Sequence, residues 1–163
     1  MFVKTFVYVA MIGALSLIAV PGLAADKLTV QDYMEIEQLY AKYNHAIDGG
    51  DADTWAATFT EDGVFNTRFA GTEQLKGFIK MWREKMDGAN RRHWNSNLKL
   101  EATTEGANGA VYLILYNVGV KPVAIASTGM YADTLVKTKA GWRFKTRVVK
   151  GDVAPAAAPT PAP

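Results

Sequence analysis

The chemistry this chain could perform centres on two histidines and the carboxylates near them. His45 and His93 are the only imidazoles in 163 residues. An imidazole, with a reference pKa of about 6.5, can accept a proton at neutral pH and return it. Asp48 stands before Gly49-Gly50, where an aspartate often satisfies a turn. The same carboxylate could instead hold the far nitrogen of an imidazole, fixing its tautomer and stabilising the imidazolium formed on proton transfer. A base so held contributes about 10²–10⁴-fold in rate. His93 follows Arg91-Arg92, so by itself it is either a strand end in solvent or part of a pocket wall. His45 lies three residues before Asp48 among the polar Lys42 and Asn44, and reads as exposed. Two histidines and a carboxylate can bind zinc or iron. No close-spaced ligand pair of the usual metalloenzyme kind is present, however, and no metal is expected. An elimination would also need a receiver for the leaving group. Arg147, Asn97, Tyr43 and a water are candidates that the sequence does not rank.

These residues must be positioned by the elements around them. Val30, Tyr33, Ile36, Leu39, Tyr40, Tyr43 and Ile47 recur at three- and four-residue steps, which predicts a helix over 29–47. Thr29 or Asp32 would cap it and Gly49-Gly50 would end it. A short helix is expected over 51–59, a turn at Glu61-Asp62-Gly63 and a strand over 64–69. A third helix, capped by Thr72, follows with Leu75, Phe78, Ile79 and Trp82 inward, and Gly88 ends it. The period then changes to two. Strands are expected over 93–103, 110–120, 124–137 and 142–149, separated by turns at 105–109, Lys121-Pro122 and Lys139-Ala140-Gly141. Helices first, then strands joined by short turns, argue for an α+β fold with a curled antiparallel sheet over the helices. Strict alternation would put His93, Asn95, Asn97, Lys99 and Glu101 on one face. His93 and Asn97 are then candidates to line a pocket.

The length suits one domain, with 49% hydrophobic and 21% charged residues. A net charge of +2 gives no electrostatic case for nucleic acid. No cysteine is present, which excludes disulfides, thiolate metal sites, cysteine nucleophiles and lipoprotein anchoring. No phosphate loop, dinucleotide fingerprint or nucleophile elbow appears, and no cofactor is expected. Residues 1–25 read as a signal peptide: Lys4, an apolar run over 6–20, Pro21-Gly22, then Leu23-Ala24-Ala25 for cleavage after Ala24 or Ala25. The run is shorter than the roughly 18 residues a membrane span needs, so membrane contact is expected only before cleavage. The mature protein is expected to be periplasmic or secreted. Residues 153–163, almost wholly Ala and Pro, read as a disordered tail.

Several motifs occur in a familiar order. They are Ile36-x-x-Leu39-x-x-x-Tyr43-x-x-Ala46-Ile47-Asp48-x-Gly50-Asp51, then Trp55, Phe59 and Glu61-Asp62-Gly63-Val64-Phe65. Arg92-His93-x-x-x-Asn97-Leu98, Gly129-x-Tyr131-x-Asp133 and Gly141-Trp142-Arg143-Phe144-x-x-Arg147 follow. In this the region 28–152 resembles the SnoaL-like family of the nuclear transport factor 2-like superfamily. It is also similar to enzymes of that fold: scytalone dehydratase, hexachlorocyclohexane dehydrochlorinase and bile acid 7α-dehydratase. The resemblance implies a cone-shaped α+β barrel, three N-terminal helices packed in a strongly curved, mostly antiparallel sheet. It implies a cavity for a small apolar or polycyclic molecule and a homodimer through the outer sheet face. It further implies a lyase or isomerase in which Asp48 orients His93 as the base, with Arg147 near the substrate. Tyr43, Trp55, Phe65, Asn97 and Tyr131 would line the cavity. Scytalone dehydratase has a second pocket histidine on the following strand; here 110–120 contains none. A non-catalytic ligand binder or an envelope scaffold is the alternative on the same fold.

Overall fold

The computed structural model describes residues 27–152. The segment expected to be a signal peptide (1–25) and the Ala/Pro tail (153–163) lie outside the described residues. The chain enters α1 (Val30–Gly49) through a capping box, in which Thr29 Oγ1 accepts from the Asp32 N–H and Asp32 accepts from the Thr29 N–H. Ile36, Leu39, Tyr40, Tyr43, Ala46 and Ile47 form its buried face. Gly50 stops it at φ +73°, a left-handed conformation that glycine adopts without a Cβ penalty. Asp51 then caps α2 (Ala52–Ala56) by accepting from the Thr54 N–H.

After α2 come β1 (Phe59–Phe65), β2 (Phe69–Ala70), α3 (Gly71–Lys85) and a 3-10 turn at Gly88–Asn90. The long strands β3 (Arg91–Thr103), β4 (Gly106–Asn117), β5 (Ala124–Thr138) and β6 (Gly141–Gly151) complete the fold. The sheet order is β2-β1-β6-β5-β4-β3. β1 runs parallel to β6 and every other pairing is antiparallel. The three helices pack against this mixed sheet, which is open, not closed into a barrel; β2 and β3 are its edges.

Local departures from the sequence reading have physical causes. The turn expected at Glu61-Asp62-Gly63 is an irregularity inside β1, whose register against β6 shifts between Phe59 and Val64. α3 starts without Thr72 as its cap: Ala70 holds the N-cap position, and its N–H donates to Gln74 Oε1 at 3.1 Å. The turn expected over 105–109 contracts, because β4 already begins at Gly106. Gly109 lies in the strand for reasons of space: a Cβ there would sit 2.4 Å from the Tyr40 hydroxyl.

The departure that matters most for function is at Asn97. The β3–β4 register shifts between Ser96 and Lys99, and Asn97 takes φ +57°. This bulge reverses the alternation. Before it, His93 is buried, Asn95 is half-buried, and Trp94 and Ser96 are exposed. After it, Leu100 is buried while Lys99 and Glu101 are exposed. Asn97, Lys99 and Glu101 therefore do not share the face of His93, and Asn97 itself is exposed.

Asp32 ties the start of α1 to the β5–β6 turn. Beyond its capping bonds it accepts from Lys137 Nζ at 2.8 Å and from Trp142 Nε1 at 3.0 Å. The Lys137 bond first, then the bonds from Thr29, hold its carboxyl well below the usual carboxylate range. A depressed pKa means that the stabilisation is complete above the unfolded value, near pH 4, and is lost as the pH falls towards the folded value. Asp32→Ala is expected to cost about 1–3 kcal/mol in urea unfolding at neutral pH. The gap between variant and parent should narrow below about pH 4, and a gap that stays constant in acid would contradict this account.

Candidate active site

The last turn of α1 and the first residues of β3 meet at Asp48 and His93. One carboxylate holds one residue twice: Asp48 Oδ1 lies 2.6 Å from His93 Nδ1, and Oδ2 accepts from the His93 backbone N–H at 3.0 Å. β3 is an edge strand with β4 on one side only, and the helix supplies an acceptor for this backbone N–H. The dyad is largely enclosed, with side-chain exposures of 15% for Asp48 and 4% for His93. A carboxylate can only accept, so Nδ1 carries the proton in the neutral ring and Nε2 is left with its lone pair. Nε2 makes no hydrogen bond among the described residues.

Other contacts fix the two elements relative to each other. Asn44, one helical turn before Asp48, donates to Asn95 Oδ1 at 2.7 Å. Asn95 in turn donates to the Tyr112 carbonyl at 3.3 Å. Arg83 from α3 donates to the Asp48 carbonyl at 3.1 Å. It lies against Gly50, where an added Cβ would come within 2.9 Å of its Nε. α1 has no basic residue in its own last turn, so Arg83 supplies the cation that a helix C-terminus favours. The Trp82 ring, 5.8 Å from the His93 ring between centroids, closes the inner side.

A hollow of about 740 Å³, open to solvent on one side, lies between α1 and β3. Asn44, His45, Asp48, His93, Asn95 and Ser96 are its polar wall; Ala41, Trp94 and Ile114 are its apolar wall. His45 is exposed, as its polar neighbours suggest, and it faces the same hollow as His93. Among the described residues no group of three or more His, Asp or Glu side chains is placed to hold a metal ion. A second groove, about 360 Å³, lies between α1 and the β5–β6 turn, bordered by Glu35, Lys42, Trp142 and Arg143, and has no histidine.

The other residues singled out from the sequence are not brought to this hollow. Arg147 is fully buried and paired with Asp133 through two bonds of 2.8 Å, from Nε and Nη2. Tyr40 donates to the same carboxylate. The guanidinium carbon lies 3.9–4.5 Å from the ring centroids of Tyr40, Tyr43, Tyr131 and Phe144, close enough for cation–π attraction. Burial alone would lower the Arg147 pKa; attraction to Asp133 outweighs it and leaves it above its ordinary value. Burial pushes the Tyr43 phenol up to about 12 and Tyr131 well above its ordinary value. Tyr43, Trp55, Phe65 and Tyr131 are buried against one another and their aromatic neighbours; Tyr43–Trp55 is 5.3 Å and Trp55–Phe65 is 5.3 Å between centroids. Large aromatic surfaces bury themselves first, so these four rings serve as core. Asn97 stands outside the hollow because of its bulge, and Asn95 occupies the wall in its place.

Three helices against an open, curved, mostly antiparallel sheet define an α+β cone of the cystatin-like, nuclear transport factor 2-like kind, a fold that houses small-molecule sites and lyase- or isomerase-type chemistry. The chain belongs to the SnoaL-like domain family, whose model matches residues 28–148. Among solved structures it is similar to a protein of unknown function with a cystatin-like fold from Nostoc punctiforme. The identity is 26% and the TM-score 0.68, over 77% of this chain and 95% of that one. It is similar to a protein from Catenulispora acidiphila in complex with S-DNPA, at 25% identity and TM-score 0.68, over 76% and 96% of the two chains. A candidate scytalone dehydratase from Novosphingobium aromaticivorans, at 23% identity and TM-score 0.62 over 76% and 85%, shares the fold. No protein of curated function matches.

Proposed function

We propose that this chain is an exported, cofactor-free lyase or isomerase in which His93 removes a proton from a small molecule in the hollow, with Asp48 as its orienting partner. The observation that carries this is the double hold of Asp48 on His93, which in the neutral form of the ring leaves Nε2 as its basic atom. Proton transfer makes an imidazolium, and the carboxylate on Nδ1 stabilises it. The electron pair left on the substrate either expels a leaving group, as in a lyase, or takes a proton at another carbon, as in an isomerase. The polar groups of the substrate face Asn44 and Asn95. The relative seen with S-DNPA supports a ligand-holding role for the fold. The export reading rests on the leader-like pattern of residues 1–25.

Mass spectrometry of small molecules co-purifying with the mature protein and with its His93→Ala variant tests the reading. The variant should retain a substrate and the parent its product, differing by the elements of a leaving group or by a hydrogen position. The same unaltered molecule in both would make the protein a carrier. A homodimer is part of the proposal. Trp94, Tyr112 and Ile125 stand exposed on the outer side of neighbouring strands at 64%, 56% and 59%, an apolar face of the kind that marks an interface. Sedimentation that reads a monomer at the highest attainable concentration would remove the dimer and leave the chemistry untouched.

A further inference from the structure

An elimination has two proton requirements. A base must take the proton from carbon, and a leaving oxygen or nitrogen departs more easily if an acid protonates it. His93 meets the first. The sequence offers no histidine on β4 for the second, and Arg147 is spent on Asp133 in the core. The groups on the hollow therefore decide the matter. Asn44 and Asn95 are bonded to each other and do not titrate. A guanidinium is a poor proton donor in a protein, and Arg92 Nη1 is engaged by the carbonyls of Ala89 and Arg91. Asp48 is committed to His93. Ser96 is a weak acid. His45 remains: it is exposed, faces the hollow, appears in no hydrogen bond among the described residues, and belongs to the side-chain type that both gains and loses a proton near neutrality.

We propose that His45 is the general acid of this site, completing a base-and-acid pair drawn from β3 and α1. The inference rests on the proton-abstraction reading of His93. In the step, the C–H proton goes to His93 Nε2 and the C–H electron pair forms the new π bond. The bond to the leaving atom breaks, and that atom takes the proton of the His45 imidazolium. The protein ends with His93 protonated and His45 neutral. Because the hollow is open to solvent, both rings recover their starting state by exchange with water. The substrate class that follows is a small molecule with a poor oxygen leaving group, such as a hydroxyl or phenol ether, beside an acidic C–H.

Ring opening of benzisoxazoles tests this without knowledge of the natural substrate. A base removes the C3 proton, the N–O bond breaks, and a nitrile and a phenolate form. Unsubstituted benzisoxazole leaves the more basic phenolate of the two, which benefits more from an acid. 5-Nitrobenzisoxazole leaves a weakly basic one that needs none. His45→Gln is expected to lower kcat/KM for the unsubstituted ring at least ~10-fold and for the nitro ring by less than ~3-fold. His93→Ala should abolish turnover of both. Equal loss on both rings, or no loss on either, overturns the assignment of His45 while leaving His93 as base. If the parent turns over neither ring faster than His93→Ala, the base reading itself fails and the assignment fails with it. His45 is exposed, so its variant should fold as the parent does, which the Asp48–His93 Nδ1 proton signal in the NMR spectrum checks.

Discussion

Asp133→Ala is expected to destabilise the protein by about 3–5 kcal/mol, because it strands a buried arginine without its carboxylate. Both side chains of the pair are 0% exposed. Asp133 also accepts from Tyr40, so the variant loses three charge-assisted bonds in one place. The cation–π contacts with four rings soften the loss but cannot replace it: rings do not accept the in-plane N–H bonds of a guanidinium, and Arg147 Nη1 is already without a partner among the described residues. The reference experiment is the double variant Asp133→Ala/Arg147→Met. It removes the stranded charge and should recover much of the loss, since replacing a buried ion pair by apolar groups is often nearly neutral. Urea unfolding of the two single variants and the double variant gives the coupling energy. A cost for Asp133→Ala below about 1 kcal/mol would show that water reaches the guanidinium, and the core assignment of Arg147 would fall.

That pair also shows which kind of information the sequence carried. Helix α1, its caps and the long strands were legible because each follows from local periodicity and turn chemistry. Asp133 and Arg147 were both visible within motifs, yet their meaning lies in the β5–β6 register, where they are directly opposed. Register depends on the hairpin and on an irregularity between Thr134 and Leu135 that no local pattern announces. Period-two counting puts Asn97 on the wrong face for the same reason: it holds only while the strand is regular, and one left-handed residue inverts it. Gly109 read as a turn because glycine has two uses, and close approach by Tyr40 looks the same in sequence as a bend. The aromatic residues proposed as pocket lining share a related ambiguity. Tyr43, Trp55, Phe65 and Tyr131 have types suited to either a cavity wall or a core, and only their mutual packing decides. Asp48 and His93, 45 positions apart, became a pair through the resemblance alone, since turn chemistry was an adequate reading of Asp48 by itself.

The dyad carries the second large effect, and a single-atom change isolates it. Asp48→Asn keeps size and shape but exchanges one acceptor oxygen for an NH₂ donor. The parent carboxylate accepts twice, from the ring and from the backbone of His93, so the amide cannot satisfy both positions. If its oxygen faces the backbone N–H, the NH₂ meets Nδ1 and the ring proton moves to Nε2, which removes the lone pair that would take the substrate proton. If its oxygen faces the ring, two N–H groups confront each other at the backbone, and an edge-strand donor is left unsatisfied at a cost of about 1–3 kcal/mol. The first arrangement is the less costly, so the catalytic tautomer is the one sacrificed. Turnover of benzisoxazole should fall about 10²–10⁴-fold with the fold intact. The ¹⁵N spectrum of His93 should change from a protonated Nδ1 to a protonated Nε2. Unchanged ring nitrogens in the variant would mean that Asp48 does not set the tautomer, and the proton-transfer role of the pair would have to be given up even if the short contact in the structure stands.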